Sequence, residues 1–576
     1  MTPGVGRVVR VSGPLVEATG LPASAMAWMV ELGERRLPGE VVAIDDDVVS
    51  VQAYDYTGGL RPGDPVTALL HPLSARLGPG LLGGVYDGLL RPLASAGVWL
   101  EPGSGRDTVP TAPVTFTPSV SAGDTVGPGA VLGTVPTGSL LHRVLVPPDV
   151  SGEVTELRPE GPCAPDDVVA SVGGVEVPMT TIWPVRRPRP YAERLDGREP
   201  LFTGQRVLDV LFPVARGSTA AVPGGFGTGK TVLLQQVAKW CDADVIVYVG
   251  CGERGNEMAD VLQELASLTD PRTGGRLVDR SVVIANTSNM PMMAREASVY
   301  SAVTVAEYYR DMGYDAVVIA DSTSRWAEAL RELASRTGAL PAEEGYPAAL
   351  SSALAAFYER AGRVRTVGGR VGSVTVIGAV SPAGGDMSEP VTAHTQRFVR
   401  SLWTLDRDLA YARHYPAVSW AGSFARDVDT LAAWHAGNGD PGWARRRARL
   451  AALLAEADRL TALAELLGIT ALPGHERMVM LAGRLLREGL LQQNAMSPVD
   501  AVSPAPRSTA LIAMLLDVVD ACLRLVEHGV PAASVEEVDF SPVLRAREEA
   551  GPDDIAAVEA RRDEVVARLA RLEPSP

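Results

Sequence analysis

The stretch 222–240, VPGGFGTGKTVLLQQVAKW, decides how the rest of the chain is read. From Gly224 to Thr231 it carries the spacing GxxxxGK followed by Thr, after the apolar run TAAVP and before a helix-forming run. Strand, glycine loop and helix, in that order, make the setting in which such a loop cradles phosphate. Gly224, Gly225, Gly227 and Gly229, with Phe226 and Thr228 between them, let the backbone turn tightly. Successive N–H groups then converge on phosphate oxygens. The helix start at Lys230, Thr231 and Val232 adds unpaired N–H groups and the positive end of the helix dipole. Lys230 offers a compact cation for the outer phosphates, and Thr231 offers a hydroxyl to Mg²⁺. Composition sharpens the reading, because of 53 Lys and Arg residues only Lys230 and Lys239 are lysine. A lysine that persists where the chain otherwise uses arginine marks a place that the planar guanidinium fits poorly. Lys239 reads as a residue of a solvated helix face.

Two further stretches belong with this loop. In YDAVVIADSTSRW, 314–326, an apolar strand ends in Asp321, where a carboxylate can hold Mg²⁺ through its waters. In YVGCGERGNEM, 248–258, another strand ends in Glu253 and Arg254. Such a pair taken alone reads as a solvated loop charge. Ligand sites of parallel α/β sheets, however, gather beyond the carboxyl ends of the strands. Glu253 is therefore expected beside Lys230 and Asp321, as the carboxylate that orients or deprotonates the attacking water. Arg254 is expected to hold Glu253 or to touch phosphate oxygens. Arg325 has two readings, a site residue or a helix-start arginine paired with Glu328 or Asp321, and both stay open.

The composition bounds the rest. A chain of 576 residues, 46% hydrophobic and 21% charged, is globular and too long for one core. A net charge of −16 argues against non-specific binding to nucleic acid or anionic membranes. The start, MTPGVGRVVRVSGP, has no apolar segment of signal-peptide type, and the stretch TALIAMLLDVVDACLRLV reads as a core helix. Four scattered cysteines without a CxxC pair point to a reduced, cytosolic chain. The seven histidines lack metal-ligand spacing, so no structural metal is expected.

The patterns give a multidomain architecture. Residues 1–72 alternate β-branched runs with turns, as in a small β-barrel. Residues 73–110 are a Gly- and Pro-rich connecting segment, and 111–185 an inserted β-rich domain. Residues 186–430 alternate apolar strands with amphipathic helices, the pattern of a P-loop α/β nucleotide-binding domain. Residues 431–576 are a helical domain. Within them GWARRRARLAALLAEADRLTALAELLG, a helix around 507–528 and DDIAAVEARRDEVVARLARL are the clearest helices.

These stretches, with VSGPLV, LGPGLLGGVYDGLLRPL, NTSNMPMMAREAS, EEGYPA, GSVTVIGAVSPAGGDMSEPVT, DLAYARHYPAVSW and LLQQNAM, resemble the catalytic A subunits of V/A-type rotary ATPases and ATP synthases. The similarity runs from about residue 5 to about residue 500. Phe226 in the loop matches V/A catalytic subunits rather than F-type β chains, and 111–185 resembles the insertion that marks A subunits. The resemblance implies ATP or ADP with Mg²⁺ at Lys230, Thr231 and Asp321. It implies a catalytic carboxylate at Glu253 with Arg254 beside it, and an adenine pocket walled by Tyr415 and by the residue ending LLQQNAM. That residue is usually aromatic and is Met496 here; its polarisable sulfur still packs on a purine face. Thr228 stands where eukaryotic relatives carry a regulatory cysteine, so no redox switch is expected in the loop. The resemblance further implies an alternating ring of three A and three B chains, with central rotor and peripheral stalks. Proton or sodium transport would then run through a membrane sector, with this chain on the cytoplasmic face and no nucleic-acid partner.

Two rival readings fit the residues less well. A ring motor of the Rho helicase class needs a basic or aromatic strand-binding surface, and the only basic cluster is ARRRAR, 444–449. A non-catalytic nucleotide-binding ring subunit would be expected to lose the glycine loop or the carboxylate, and both are present.

Overall fold

The computed structural model describes residues 4–94, 100–103, 113–270 and 272–573. The expected boundary at 110–111 lies outside the described residues.

Six short strands, Val5–Ser12, Leu15–Thr19, Trp28–Leu32, Leu37–Asp45, Val48–Ala53 and Pro65–Pro72, close into an antiparallel barrel. Alternation explains it: Val16 and Ala18 point inward while their neighbours face solvent, and Val8, Val30, Val51 and Val66 fill the same small interior. The inserted region 113–178 forms two four-stranded sheets. Phe116, Val135 and Val144 are buried in one, and Val154, Val172 and Val177 in the other.

The stretch expected only to connect does more. Ser74–Leu77 pairs antiparallel with Thr181–Pro184, which ties together the two chain passages flanking the insertion. Val85–Tyr86 adds a parallel edge strand to the central sheet beside Ser281–Thr287. The chain after the insertion likewise supplies a strand, Tyr191–Leu195, against Gly362–Thr366.

In the central sheet, Thr219–Pro223, Val371–Val380, Asp315–Asp321, Val245–Glu253 and Ser281–Thr287 run parallel in that spatial order. These strands read VVIAD or VIVYVG because both faces are covered, so alternation disappears in favour of continuous apolar runs. Helix Met292–Asp311 covers one face and is buried along nearly all its length. It also carries the ion pairs that fix the neighbouring parts: Arg186 spans Glu40 of the barrel, at 2.7 Å, and Glu296 of the helix, at 2.5 Å. Arg189 meets Asp311 at 2.6 Å and Arg360 meets Glu307 at 2.6 Å, all four side chains being buried. Removing one partner of such a pair costs about 3–5 kcal/mol, because the other charge is left without compensation away from water.

The helices Trp443–Leu467, Gly474–Leu486, Ala505–Glu527 and Ile555–Ala570 fall on the three strong helical patterns plus one weaker stretch. Their apolar faces join the core on the second face of the sheet, where Leu485, Leu490 and Leu515 share a cluster with Leu234 and Val237. The expected architecture of barrel, β-rich insertion, α/β core and helical C-terminal region is the one observed.

Candidate active site at the carboxyl edge of the sheet

The strand Thr219–Pro223 is fully buried and delivers the chain to the glycine loop at the sheet's carboxyl edge. Gly224 leaves no room for a side chain, since a Cβ there would lie 2.8 Å from both Leu405 and the Thr228 hydroxyl. That hydroxyl donates to Gly225 O at 2.8 Å and closes the loop on itself. Gly229 has φ +84°, and a Cβ would meet the Tyr415 ring at 3.3 Å, so glycine is needed for backbone and packing alike. The helix Lys230–Trp240 starts immediately afterwards.

The Lys230 ammonium sits on the Ser381 hydroxyl and within 3.4 Å of Val380 O. Burial pulls its pKa down, while Asp321 and Glu253 oppose the shift. The strand Asp315–Asp321 ends opposite Gly250 of its neighbour, which runs three residues further to place Glu253 beyond the edge. Asp321 Oδ2 accepts from the hydroxyls of Thr231, at 3.3 Å, and Tyr248, at 3.2 Å. Its Oδ1 is buried with no partner among the described residues. Burial raises the pKa of Asp321, and Lys230 lowers it. A buried carboxylate oxygen without a partner beside a hydroxyl oxygen is a donor set suited to a hard cation such as Mg²⁺. No cluster of three or more His, Cys, Asp or Glu side chains fit to hold a metal occurs among the described residues.

The Glu253 carboxyl is half-buried and its pKa is pushed up to about 7, by burial first, then by the charge of Asp321 and a hydrogen bond with Glu257. Arg254 begins the helix Gly255–Ser267 and is exposed, with no side-chain ion pair among the described residues. Arg325 lays its guanidinium on Glu328, at 3.0 Å, which realises the pairing reading for this residue; its charge is also felt by Lys230. Phe226 stands 91% exposed at the loop tip, away from the other residues of the loop's cradle.

Beside the loop lies a cavity of about 520 Å³ whose lining includes Gly229, Val232, Tyr415 and Met496. Tyr415 and Met496, 81 positions apart, are thus brought together as the resemblance implied. Sequence reasoning missed four contributors. Ser381 holds Lys230, Tyr248 holds Asp321, Glu257 holds Glu253, and Arg547 reaches the cavity from a C-terminal helix. Tyr248 and Glu257 lie within a stretch that the sequence had already singled out, YVGCGERGNEM.

Family models match the chain along its length: "ATP synthase alpha/beta family, beta-barrel domain" at 8–69 and "ATPsynthase alpha/beta subunit barrel-sandwich domain" at 111–186. They continue with "ATP synthase alpha/beta family, nucleotide-binding domain" at 204–425 and "C-terminal domain of V and A type ATP synthase" at 432–534. The V-type ATP synthase alpha chain of Nitrosococcus oceani is 48% identical over 557 residues, 94% of each chain. The A subunit of the A-type ATP synthase of Hyperthermus butylicus is 46% identical over 589 residues, 99% of this chain and 98% of that one. This chain belongs to the V/A-type ATP synthase A (alpha) subunit family. Its nucleotide-binding domain is that of an ATP hydrolase and synthase coupled to ion transport. The assembled ATPase EscN of the enteropathogenic E. coli type III secretion system shares the fold, with TM-score 0.64 at 21% identity over 89% of this chain and 100% of that one. No helix among the described residues is long and apolar enough to cross a membrane.

Proposed function

We propose that the four side chains Lys230, Thr231, Asp321 and Glu253 carry the interconversion of ATP with ADP and phosphate at this edge of the sheet. The observation that carries this reading is their convergence from three strand ends onto one loop, with a base-sized cavity beside it. In hydrolysis, water attacks the γ-phosphorus and gives its proton to Glu253, while the bond from that phosphorus to the β,γ-bridging oxygen breaks and ADP leaves with the electron pair. A carboxyl that titrates near 7 suits that duty, since it gives up and takes a proton at working pH. Lys230 neutralises the outer phosphates, and Tyr415 and Met496 sandwich the base. Thr231 and Asp321 would hold Mg²⁺, which offsets phosphate charge when bound.

Arg254 and Arg325 sit on the nucleotide's own wall, so the charge that completes the transition state comes from the facing subunit. We place that arginine on a neighbouring B chain, in a ring where three A and three B chains alternate. The ring sits on the rotor and peripheral stalks, at the cytoplasmic face of a membrane sector that moves protons or sodium ions. A net charge of −16 fits this role better than that of a nucleic-acid motor. The test is the ATPase rate per A chain, measured at matched concentration with and without the cognate B chain. An arginine supplied in trans raises turnover by about 10³- to 10⁵-fold. A lone A chain as fast as the ring would show that the site is complete within one polypeptide.

A further inference from the structure

The base cavity is walled by a segment, Gln492–Met496, that belongs to no helix or strand, and its tip Met496 is 91% exposed. Something other than secondary structure must hold such a wall in place, and its roots are fastened by one carboxylate and two arginines. Arg206, fully buried in the nucleotide-binding region, donates to Leu490 O and Gln492 O, each at 2.7 Å. Its backbone N–H donates to Gln493 Oε1 at 2.8 Å. Its remaining nitrogen forms an ion pair with Asp500 Oδ1 at 2.7 Å. The other oxygen of Asp500 accepts from Asn494 N, at 2.8 Å, and from Arg547, at 2.6 Å. Arg547 lies on the helix Ser541–Glu549 and itself lines the cavity.

Asp500 thus touches the nucleotide-binding region, the wall segment and a C-terminal helix at once. It is 0% exposed, so it contributes nothing to solubility; Oδ2 accepts two hydrogen bonds, while Oδ1 meets Arg206 as an ion pair outside hydrogen-bond geometry. A carboxylate buried between two guanidiniums leaves an uncompensated charge if any one of the three moves away, which holds them together as a unit.

We propose that Asp500 is a positioning residue for the nucleotide base. Through Arg206 and Arg547 it makes the stacking wall and the docked C-terminal helix one unit, so that base binding and helix docking are a single equilibrium. The inference rests on the reading of this cavity as the base site, and it assigns the phosphates no part in the effect.

The experiment uses the assembled ring and two probes, ATP and inorganic tripolyphosphate, which shares the phosphates and lacks the base. In the wild type ATP should bind more tightly than tripolyphosphate. If the two bind alike, the base-site reading itself fails, whatever the variants do. In Asp500→Asn, ATP affinity should fall by about 10-fold while tripolyphosphate affinity holds within about 2-fold, because the loop and Lys230 are untouched. Arg547→Gln cuts one arm and leaves the Arg206–Asp500 pair intact, so it guards against a variant that fails to fold. It should show the same selective loss at smaller size. Equal weakening of both probes in Arg547→Gln would show a merely structural role, and unchanged affinities in the folded variants would show no role. Either result overturns the proposal.

Discussion

The proposed phosphate end and base end of this site are built in opposite ways. At the proposed phosphate end Asp321 and Glu253 close two strands of one parallel sheet, and Lys230 and Thr231 follow the loop from a third, so backbone hydrogen bonding sets their spacing. At the base end Tyr415, Met496 and Arg547 come from separate segments, held by side chains that reach backbone carbonyls and by the buried Asp500. The contrast teaches that phosphate chemistry asks for particular functional groups at fixed positions. A stacked base asks only for a surface of the right shape, which several side chains provide.

The sharpest way to break the contrast is Lys230→Arg. It keeps the charge and changes its shape, so only a site that needs a compact cation will suffer. ATP binding and ring turnover should be lost together, beyond about 10⁴-fold, because cradle and charge position fail at once. Near-normal turnover would show that the lysine is retained for some other reason.

Next comes Glu253→Gln, which should still bind nucleotide while turnover drops by about 10²- to 10⁴-fold, the range for losing a general base. The pH profile sharpens it. The base works only when deprotonated, and its pKa is raised to about 7, so wild-type kcat/KM should climb as pH rises through that value. The variant's residual rate should lack this limb. The same raised value makes the stability contributed by Glu253 full below the unfolded carboxyl range and lost as pH rises through about 7. An unaltered acid limb in the variant would assign it to a different group.

At the base end the changes should be gentler. Met496→Phe restores an aromatic wall and should tighten ATP by about 3-fold, the scale of one added ring contact. Weaker binding would mean that the cavity is shaped around methionine.

The smallest effect is expected of mild oxidation. Cys251 lies one strand position past Gly250, fully buried, with burial pushing its thiol up to about 12. Its thiolate is therefore scarce at neutral pH, and ATPase activity should not change. Reversible inhibition that vanishes in Cys251→Ser would contradict this.

The sequence by itself determined the succession of architectures and picked out the residues proposed as the phosphate machinery. The glycine loop tolerates few alternatives, strands buried on both faces must be continuously apolar, and the C-terminal helices carry their period openly. It also paired Tyr415 with Met496, though only through resemblance. Tertiary structure alone decided that Val85–Tyr86 completes the sheet, that Ser381 holds Lys230, and that Arg325 turns to Glu328. It alone joined Arg206, Asp500 and Arg547, which stand 294 and 47 positions apart along the chain. Arginine is the chain's ordinary cation and aspartate ends many of its turns, so nothing local distinguishes these three. Their partnership exists only where folding removes water from between them, because there a charge must find its counter-charge or be paid for in stability.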